Sequence, residues 1–409
     1  MVCIKFNPSG KTNRMDYFLL LLILARQLRN TYIASRNSHR LDMQRIYFSV
    51  AVFCLCLSGI YANSIFHWVS TQVGKGINMV FNMGIVSKEW TDLISNQCIK
   101  FAETFNVPEP RAANLTKLKF DYITPCCNYA VPISEAETLW ENAIFNLNTK
   151  IVFVVTGWLT NSRFSVTRDV LQRAYMCRPD INFVVVDTSG YLDMLYMWSV
   201  QNTNIIGDYI SIGLKKLTDA NPSVKIHLIG HSLGAHIMAF AARQYQNLTG
   251  RLVDRLTGLD PAKPCFTTRA RSDGLANDIA RFVDVIHSNP GLLGEDSPVG
   301  HADFYPGGDD PVQNGCIFLE CSHSRAVEYF AESVYPDQER NFLASKCDSM
   351  KDVHAKVCKS PHSLMGYEVD KKARGIYYLE VNSKSPFGKN SIIDSDDVNK
   401  ECKCRGVMC

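Results

Sequence analysis

Residues 224–240, VKIHLIGHSLGAHIMAF, decide how the rest of the chain is read. Val224, Ile226, Leu228 and Ile229 form a short aliphatic, β-branched run of the kind that makes a buried strand. Gly230-His231-Ser232-Leu233-Gly234 follows at once, and residues 235–243 continue as a small-residue, helix-compatible segment. The pattern is a G-x-S-x-G between a strand and a helix, the context in which that motif carries a nucleophile. On such a turn the serine backbone is strained and its neighbours are crowded, so a Cβ two residues away on either side would clash. The turn lifts the hydroxyl of Ser232 clear of the sheet, and the helix start behind it offers N–H groups to a developing oxyanion. A structural turn serine would not need glycine on both flanks.

With 409 residues, 46% of them apolar, there is room for one large α/β domain or two modest ones. The net charge of +3 is misleading, because the first 62 residues hold eight Lys/Arg against two Asp/Glu. The remainder is slightly acidic, and no basic run is interleaved with aromatics, so nothing points to nucleic acid. Two apolar runs lie in that leader. Residues 17–25 are too few to span a bilayer. Residues 46–62 follow Met43 and Arg45 and end Gly59-Ile60-Tyr61-Ala62, which reads as a secretory signal within residues 1–62. Met43 is then a candidate start, and an uncleaved anchor is the alternative.

Cysteine usage agrees with export. Three of the 15 cysteines (Cys3, Cys54 and Cys56) fall in the leader, leaving an even dozen for disulfides. Sequons at Asn114-Leu115-Thr116 and Asn247-Leu248-Thr249 are usable in that compartment. Residues 63–115 form an N-terminal segment without usable periodicity, residues 116–385 the main domain, and residues 386–409 a polar tail. The tail cysteines Cys402, Cys404 and Cys409 lack the partners of a tetrahedral metal site and suit disulfides better.

Along the domain, residues 117–124 alternate like an opening antiparallel strand. Continuous apolar strands are predicted at 151–155, 183–186, 252–259, 282–287 and 377–381. The spacing of Ile206, Tyr209, Ile210, Leu214 and Leu217 predicts a helix over 198–217. Apolar strands alternating with helices imply a mostly parallel sheet covered on both faces.

A serine that attacks at neutral pH needs an imidazole to take its proton and a carboxylate to orient that imidazole, here in the order Ser, acid, His. Asp260 ends a strand and precedes Pro261, at the strand's carboxyl end, where loops gather and ligands bind. Asp284 is its competitor, but it lies inside Val283-Asp284-Val285. Among the later histidines, His323 sits just behind Cys321 in an expected loop before a helical stretch at 326–330, His287 ends a strand, and His301 sits in a loop beside Asp303. Physical reasoning alone leaves these three open, with His323 in front. His231 and His236 are expected to pack or bond locally.

These residues resemble the secreted pancreatic lipase family of α/β-hydrolases. The resemblance rests on Gly230-His231-Ser232-Leu233-Gly234-Ala235-His236, Thr257-Gly258-Leu259-Asp260-Pro261-Ala262, Val283-Asp284-Val285-Ile286-His287, Gly300-His301-Ala302-Asp303-Phe304-Tyr305-Pro306 and Cys321-Ser322-His323, in the family's order over residues 117–382. It implies Ser232 as nucleophile, Asp260 as orienting acid and His323 as base, with backbone N–H donors on Leu233 and Trp158. Thr156 stands where many relatives have a histidine. The resemblance also implies disulfides Cys316–Cys321 and Cys347–Cys358. The 28 residues after Val381 are too few for the family's C-terminal β-sandwich, so no colipase-type partner is expected. The calcium loop of some relatives would fall between Cys265 and Phe282, but Ile279 stands where an acid is expected, so neither metal nor cofactor is predicted.

Between Cys316 and Cys321 lie only Ile317, Phe318, Leu319 and Glu320, and the other covering loop, 288–299, is short as well. A stub in place of a long lid leaves room for a charged headgroup, as in the family's phospholipase A1 branch and its insect-type neutral lipases. Ile317, Phe318, Leu319, Leu292 and Leu293 are the expected lipid contacts, with plain burial as the alternative. The expected partner is a membrane or lipid-aggregate surface. A catalytically silent lipid-binding or yolk-type protein is the reading from another class.

Overall fold

The computed structural model describes residues 115–141, 145, 150–158, 165–188, 190–192, 196–266, 274–391 and 402. The leader, Asn114 and residues 267–273 of the stretch compared with the calcium loop lie outside the described residues.

The described residues build one eleven-stranded sheet. Its strands are β1 (Lys119–Ile123), β2 (Asn128–Pro132), β3 (Lys150–Val155), β4 (Ile181–Asp187), β5 (Lys225–His231), β6 (Arg255–Leu259), β7 (Val283–Ile286), β8 (Ala302–Pro306), β9 (Leu343–Cys347), β10 (Lys359–Leu364) and β11 (Gly375–Leu379). They lie in the order β10-β9-β11-β8-β7-β6-β5-β3-β4-β1-β2. From β4 to β11 every pairing is parallel, and an antiparallel pair closes each side. This is an α/β-hydrolase sheet, with β5 near its centre.

The helices are α1 (Val166–Tyr175), α2 (Tyr196–Ala220), α3 (Leu233–Thr249), α4 (Leu319–Val334) and α5 (Met350–Ala355). Strand alternation distributes apolar side chains to two cores. Ile151, Phe153 and Val155 of β3 join Ile206, Ile210 and Leu214 of α2 and Ile237 and Ala241 of α3 on one face. Val152 and Val154 join Leu171 and Ala174 of α1 and Val327 and Phe330 of α4 on the other. A run such as Ile151–Val155 can therefore be apolar throughout, because both of its faces are covered.

Two departures from the expected elements have physical causes. Residues 302–306 form a strand, although Asp303 and Pro306 depress β-propensity. Asp303 is tolerated there because its carboxylate accepts the amides of Val299 and Gly300 and a ring N–H of His287. His323 lies on α4, not in a loop before it. Serines favour caps and turns, but Ser322 is fully buried and its hydroxyl is occupied, accepting the N–H of Gln313 at 2.9 Å. The sequence signal of the adjacent serines is thereby overridden.

Candidate active site

Ser232 sits between β5 and α3 with φ 57° and ψ −122°, a left-handed conformation that costs a non-glycine residue about 1–3 kcal/mol. Surrounding bonds hold it there. Its N–H donates to the carbonyl of Leu259 at 3.0 Å, and its own carbonyl accepts Ala235 and Ala262 N–H at 3.1 and 3.2 Å. The flanking glycines are sterically required. A Cβ on Gly230 would lie 2.3 Å from the carbonyl oxygen of Gly234, and one on Gly234 would lie 2.4 Å from that of Val155.

The loop after β3 runs past Ser232. A Cβ on Gly157 would approach the Ser232 Cβ to 2.8 Å and Oγ to 3.3 Å. Trp158, the second expected oxyanion donor, follows directly, its ring edge-on to Tyr196 at 5.2 Å. Leu233, the other expected donor, is the first residue of α3, where amides have no partner within the helix.

Asp260 lies just past β6 at φ 43° and is fully buried. One carboxylate oxygen accepts the N–H groups of Ser288 and Asn289 at 2.7 and 2.9 Å. The other lies 2.5 Å from Nδ1 of His323. A carboxylate with two amides and an imidazole on it is compensated for its burial. The backbone of Gly294 seals it from the other side: a Cβ there would come within 2.4 Å of the carboxylate. The pair is 63 residues apart in sequence, and the chain order Ser232, Asp260, His323 is that of this sheet topology. With Nδ1 donating to Asp260, Nε2 of His323 is left as a proton acceptor.

The competing residues have other partners. Asp284 takes two bonds from Arg255, at 2.8 and 2.7 Å, and one from Thr257 at 2.9 Å. These residues sit toward the starts of β6 and β7, away from the strand ends that carry Ser232 and Asp260. His287 bonds the Glu295 carbonyl and Asp303, and His301 accepts the amide of Val283. His236 spans Ala262 and Leu275 and stacks on Phe266. His231 is buried and contacts Thr167 and the carbonyl of His323. Burial, reinforced by the charge His323 can carry, pushes the His231 imidazole down to about 3, so its ring is neutral.

Sequence reasoning missed Ser288 and Asn289. Beyond their amides on Asp260, the Ser288 hydroxyl accepts the amide of Ala326 on α4, and the Asn289 side chain takes the amide of Leu293 and donates to the Pro311 carbonyl. A Ser-Asn-Pro-Gly run is an ordinary turn signal, and nothing in it announces a carboxylate partner.

The covering segments divide. Cys316 and Cys321 form a disulfide, as do Cys347 and Cys358, and Cys402 of the tail joins Cys177. Within the short loop Ile317 is 83% exposed and Phe318 47%. Leu319, an expected lipid contact, is instead 6% exposed, because it opens α4 and turns inward. Leu292 and Leu293 are half-buried. Val312, not anticipated, is 47% exposed. Asn247 is exposed on α3.

Comparison with known proteins agrees with this architecture. The chain is 36% identical to vitellogenin-3 of Drosophila melanogaster over 211 residues, which are 51% of this chain and 50% of that protein. It is 31% identical to lipoprotein lipase of Bos taurus over 279 residues, 60% of this chain and 57% of that one. It thus spans little more than half the length of the curated relatives it matches. The family model described as lipase matches residues 109–387, which include the elbow, Asp260 and His323. The chain belongs to the lipase family.

Proposed function

We propose that this protein is a secreted serine ester hydrolase acting on lipids, with phospholipids cleaved at the sn-1 acyl ester as its substrates. The observation that carries the reading is the Asp260–His323 contact at 2.5 Å, beside a serine held in a strained turn. In the proposed reaction Nε2 of His323 takes the proton of the Ser232 hydroxyl as Oγ adds to the ester carbonyl carbon. The carbonyl oxygen becomes an oxyanion facing the amides of Leu233 and Trp158. Collapse breaks the acyl–oxygen bond, and His323 returns its proton to the departing alcohol. Water then repeats the sequence on the acyl-enzyme and releases the fatty acid.

The phospholipid preference rests on the short covering loop. Only four residues lie between Cys316 and Cys321, too short a loop for a long lid, and the exposure of Ile317 and Phe318 supports contact with a lipid surface. Export is supported by the disulfides and by the leader's resemblance to a signal. The exposed Asn247 suits a glycan acceptor. A neutral-glyceride lipase differs from this reading only in headgroup.

The vitellogenin relative favours a second reading, a catalytically silent lipid-binding protein. Fluorophosphonate labelling separates the two: the hydrolase reacts at Ser232 and loses the label in Ser232→Ala, whereas a silent protein never takes it. A panel of phosphatidylcholine and triolein then tests the substrate. Preference for triolein would overturn the phospholipase assignment and leave the hydrolase standing.

A further inference from the structure

His231, the residue immediately before the serine, is unused by the mechanism above, yet it is buried against the base. Its Nε2 lies 3.2 Å from the backbone carbonyl of His323, and its Nδ1 lies 3.0 Å from the hydroxyl of Thr167 on α1. A carbonyl oxygen can only accept, so Nε2 carries the proton. Nδ1 is then the lone-pair nitrogen, and Thr167 donates to it. The tautomer is therefore fixed by its two partners. The His231 and His323 rings stand 4.7 Å apart, so a second positive charge on His231 would oppose the imidazolium that His323 forms during turnover. Among the described residues His323 is the titratable group that faces this ring, and Thr167 supplies only a hydroxyl.

The backbone of His323 has a second brace. The Ser288 hydroxyl reaches the same carbonyl at 3.5 Å and accepts the amide of Ala326 one helical turn on. The base is thus held at its ring by Asp260 and at its main chain by His231 and Ser288.

We propose that His231 is a positioning residue for the reaction: a donor that fixes the His323 main chain so that Nε2 faces Ser232. This rests on the hydrolase reading of the site. It predicts that reach, rather than polarity, decides which substitutions are tolerated. Glutamine at 231 places its amide nitrogen near the Nε2 position and can still donate to the His323 carbonyl. Asparagine places its amide nitrogen near Nδ1 and cannot.

The test compares His231→Gln and His231→Asn on a water-soluble ester across a pH series. H231Q is expected to stay within about threefold of wild type. H231N is expected to lose about 10–100-fold in kcat with KM unchanged, since a misplacement near 1 Å costs on that order. Equal kcat across the series in the two variants would overturn the proposal. A purely structural role would lower the amount of folded enzyme without changing kcat per folded molecule.

Nitrogen NMR of histidine-labelled wild-type protein gives a second readout that needs no variant. His231 should show a single Nε2–H tautomer that does not titrate between about pH 5 and 9. A ring that titrates near its ordinary value refutes the assignment. If wild type neither hydrolyses esters nor labels at Ser232, the hydrolase reading fails instead, and the spectrum still reports on His231 separately.

Discussion

Gly157 and Ser232 stand so close that a single methyl group on the first would press on the side chain of the second, 2.8 Å from its Cβ and 3.3 Å from its Oγ. The close approach joins the loop after β3 to the turn after β5 and leaves no room for a side chain at 157. Gly157→Ala is expected to lower kcat/KM on a soluble ester by about 100-fold, because the Ser232 hydroxyl is displaced from the imidazole that must take its proton. Unfolding temperature should move little. Steady-state kinetics beside a thermal melt checks this, and a variant with normal turnover would show that the loop yields.

Asp260→Asn keeps the shape and reverses the logic of the hydrogen bonds. The amides of Ser288 and Asn289 require an acceptor, so the asparagine oxygen must stay with them. Its NH₂ then faces Nδ1 of His323 and forces the proton onto Nε2, where it blocks uptake from Ser232. A loss of about 10³–10⁴-fold in kcat is expected, with fluorophosphonate labelling slowed in parallel.

Ile317 and Phe318 are predicted to matter only at an interface. Replacing both by serine should leave a soluble ester substrate unaffected and reduce turnover on phosphatidylcholine vesicles about tenfold or more, given the apolar area they offer. Sedimentation with vesicles reads the same loss as binding. Equal loss on both substrates would move these residues from the lipid surface into the active site.

Asp284 is predicted to be structural. Asp284→Asn removes the charge that compensates Arg255, which is itself buried, so the cost should be that of a broken buried pair, about 3–5 kcal/mol. Ser232 labelling per folded molecule should be unchanged. Denaturant unfolding with probe labelling separates stability from chemistry, and loss of labelling in folded protein would return Asp284 to the catalytic group.

Three buried histidines shape the pH dependence of stability. For His287, burial opposes the charge, but the hydrogen bond and charge of Asp303 outweigh it and raise its pKa. A raised folded value gives stability that is present below the ordinary value of about 6.5 and is lost as pH rises through the folded one. His227 and His231 are lowered, chiefly by burial, with Arg255 adding for the first and His323 for the second. Between their folded values and about 6.5 the unfolded chain binds more protons, so stability falls as pH falls through that window. Unfolding free energy should therefore peak near neutrality. His287→Gln should flatten the alkaline side alone, and an unchanged alkaline limb would count against a charged His287.

The elbow around Ser232 was legible in the sequence because it is a local device: strand, glycine, serine, glycine and helix are contiguous, and each flanking glycine is demanded by a clash over a few ångströms. Asp260 was legible for a related reason, since it ends a strand. The partnership of His323 was not legible from physics, because three histidines follow Asp260 in plausible places and only the packing of α4 decides among them. Ser288 and Asn289 were hidden further still. They act through backbone amides, which every residue owns, so no side-chain pattern marks them. Leu319 misled for the opposite reason: two apolar neighbours in one short loop, Phe318 and Leu319, point to opposite sides once a helix begins between them.

The bridge from Cys177 to Cys402 spans 225 residues and encircles Ser232, Asp260 and His323 within one covalent ring. A protease that nicks any exposed loop inside that ring opens it without releasing a fragment. The cut halves stay one molecule in an oxidising medium and come apart only when a reductant is added as well. Clipped preparations should thus look intact on a non-reducing gel, and their age would show only after thiol treatment.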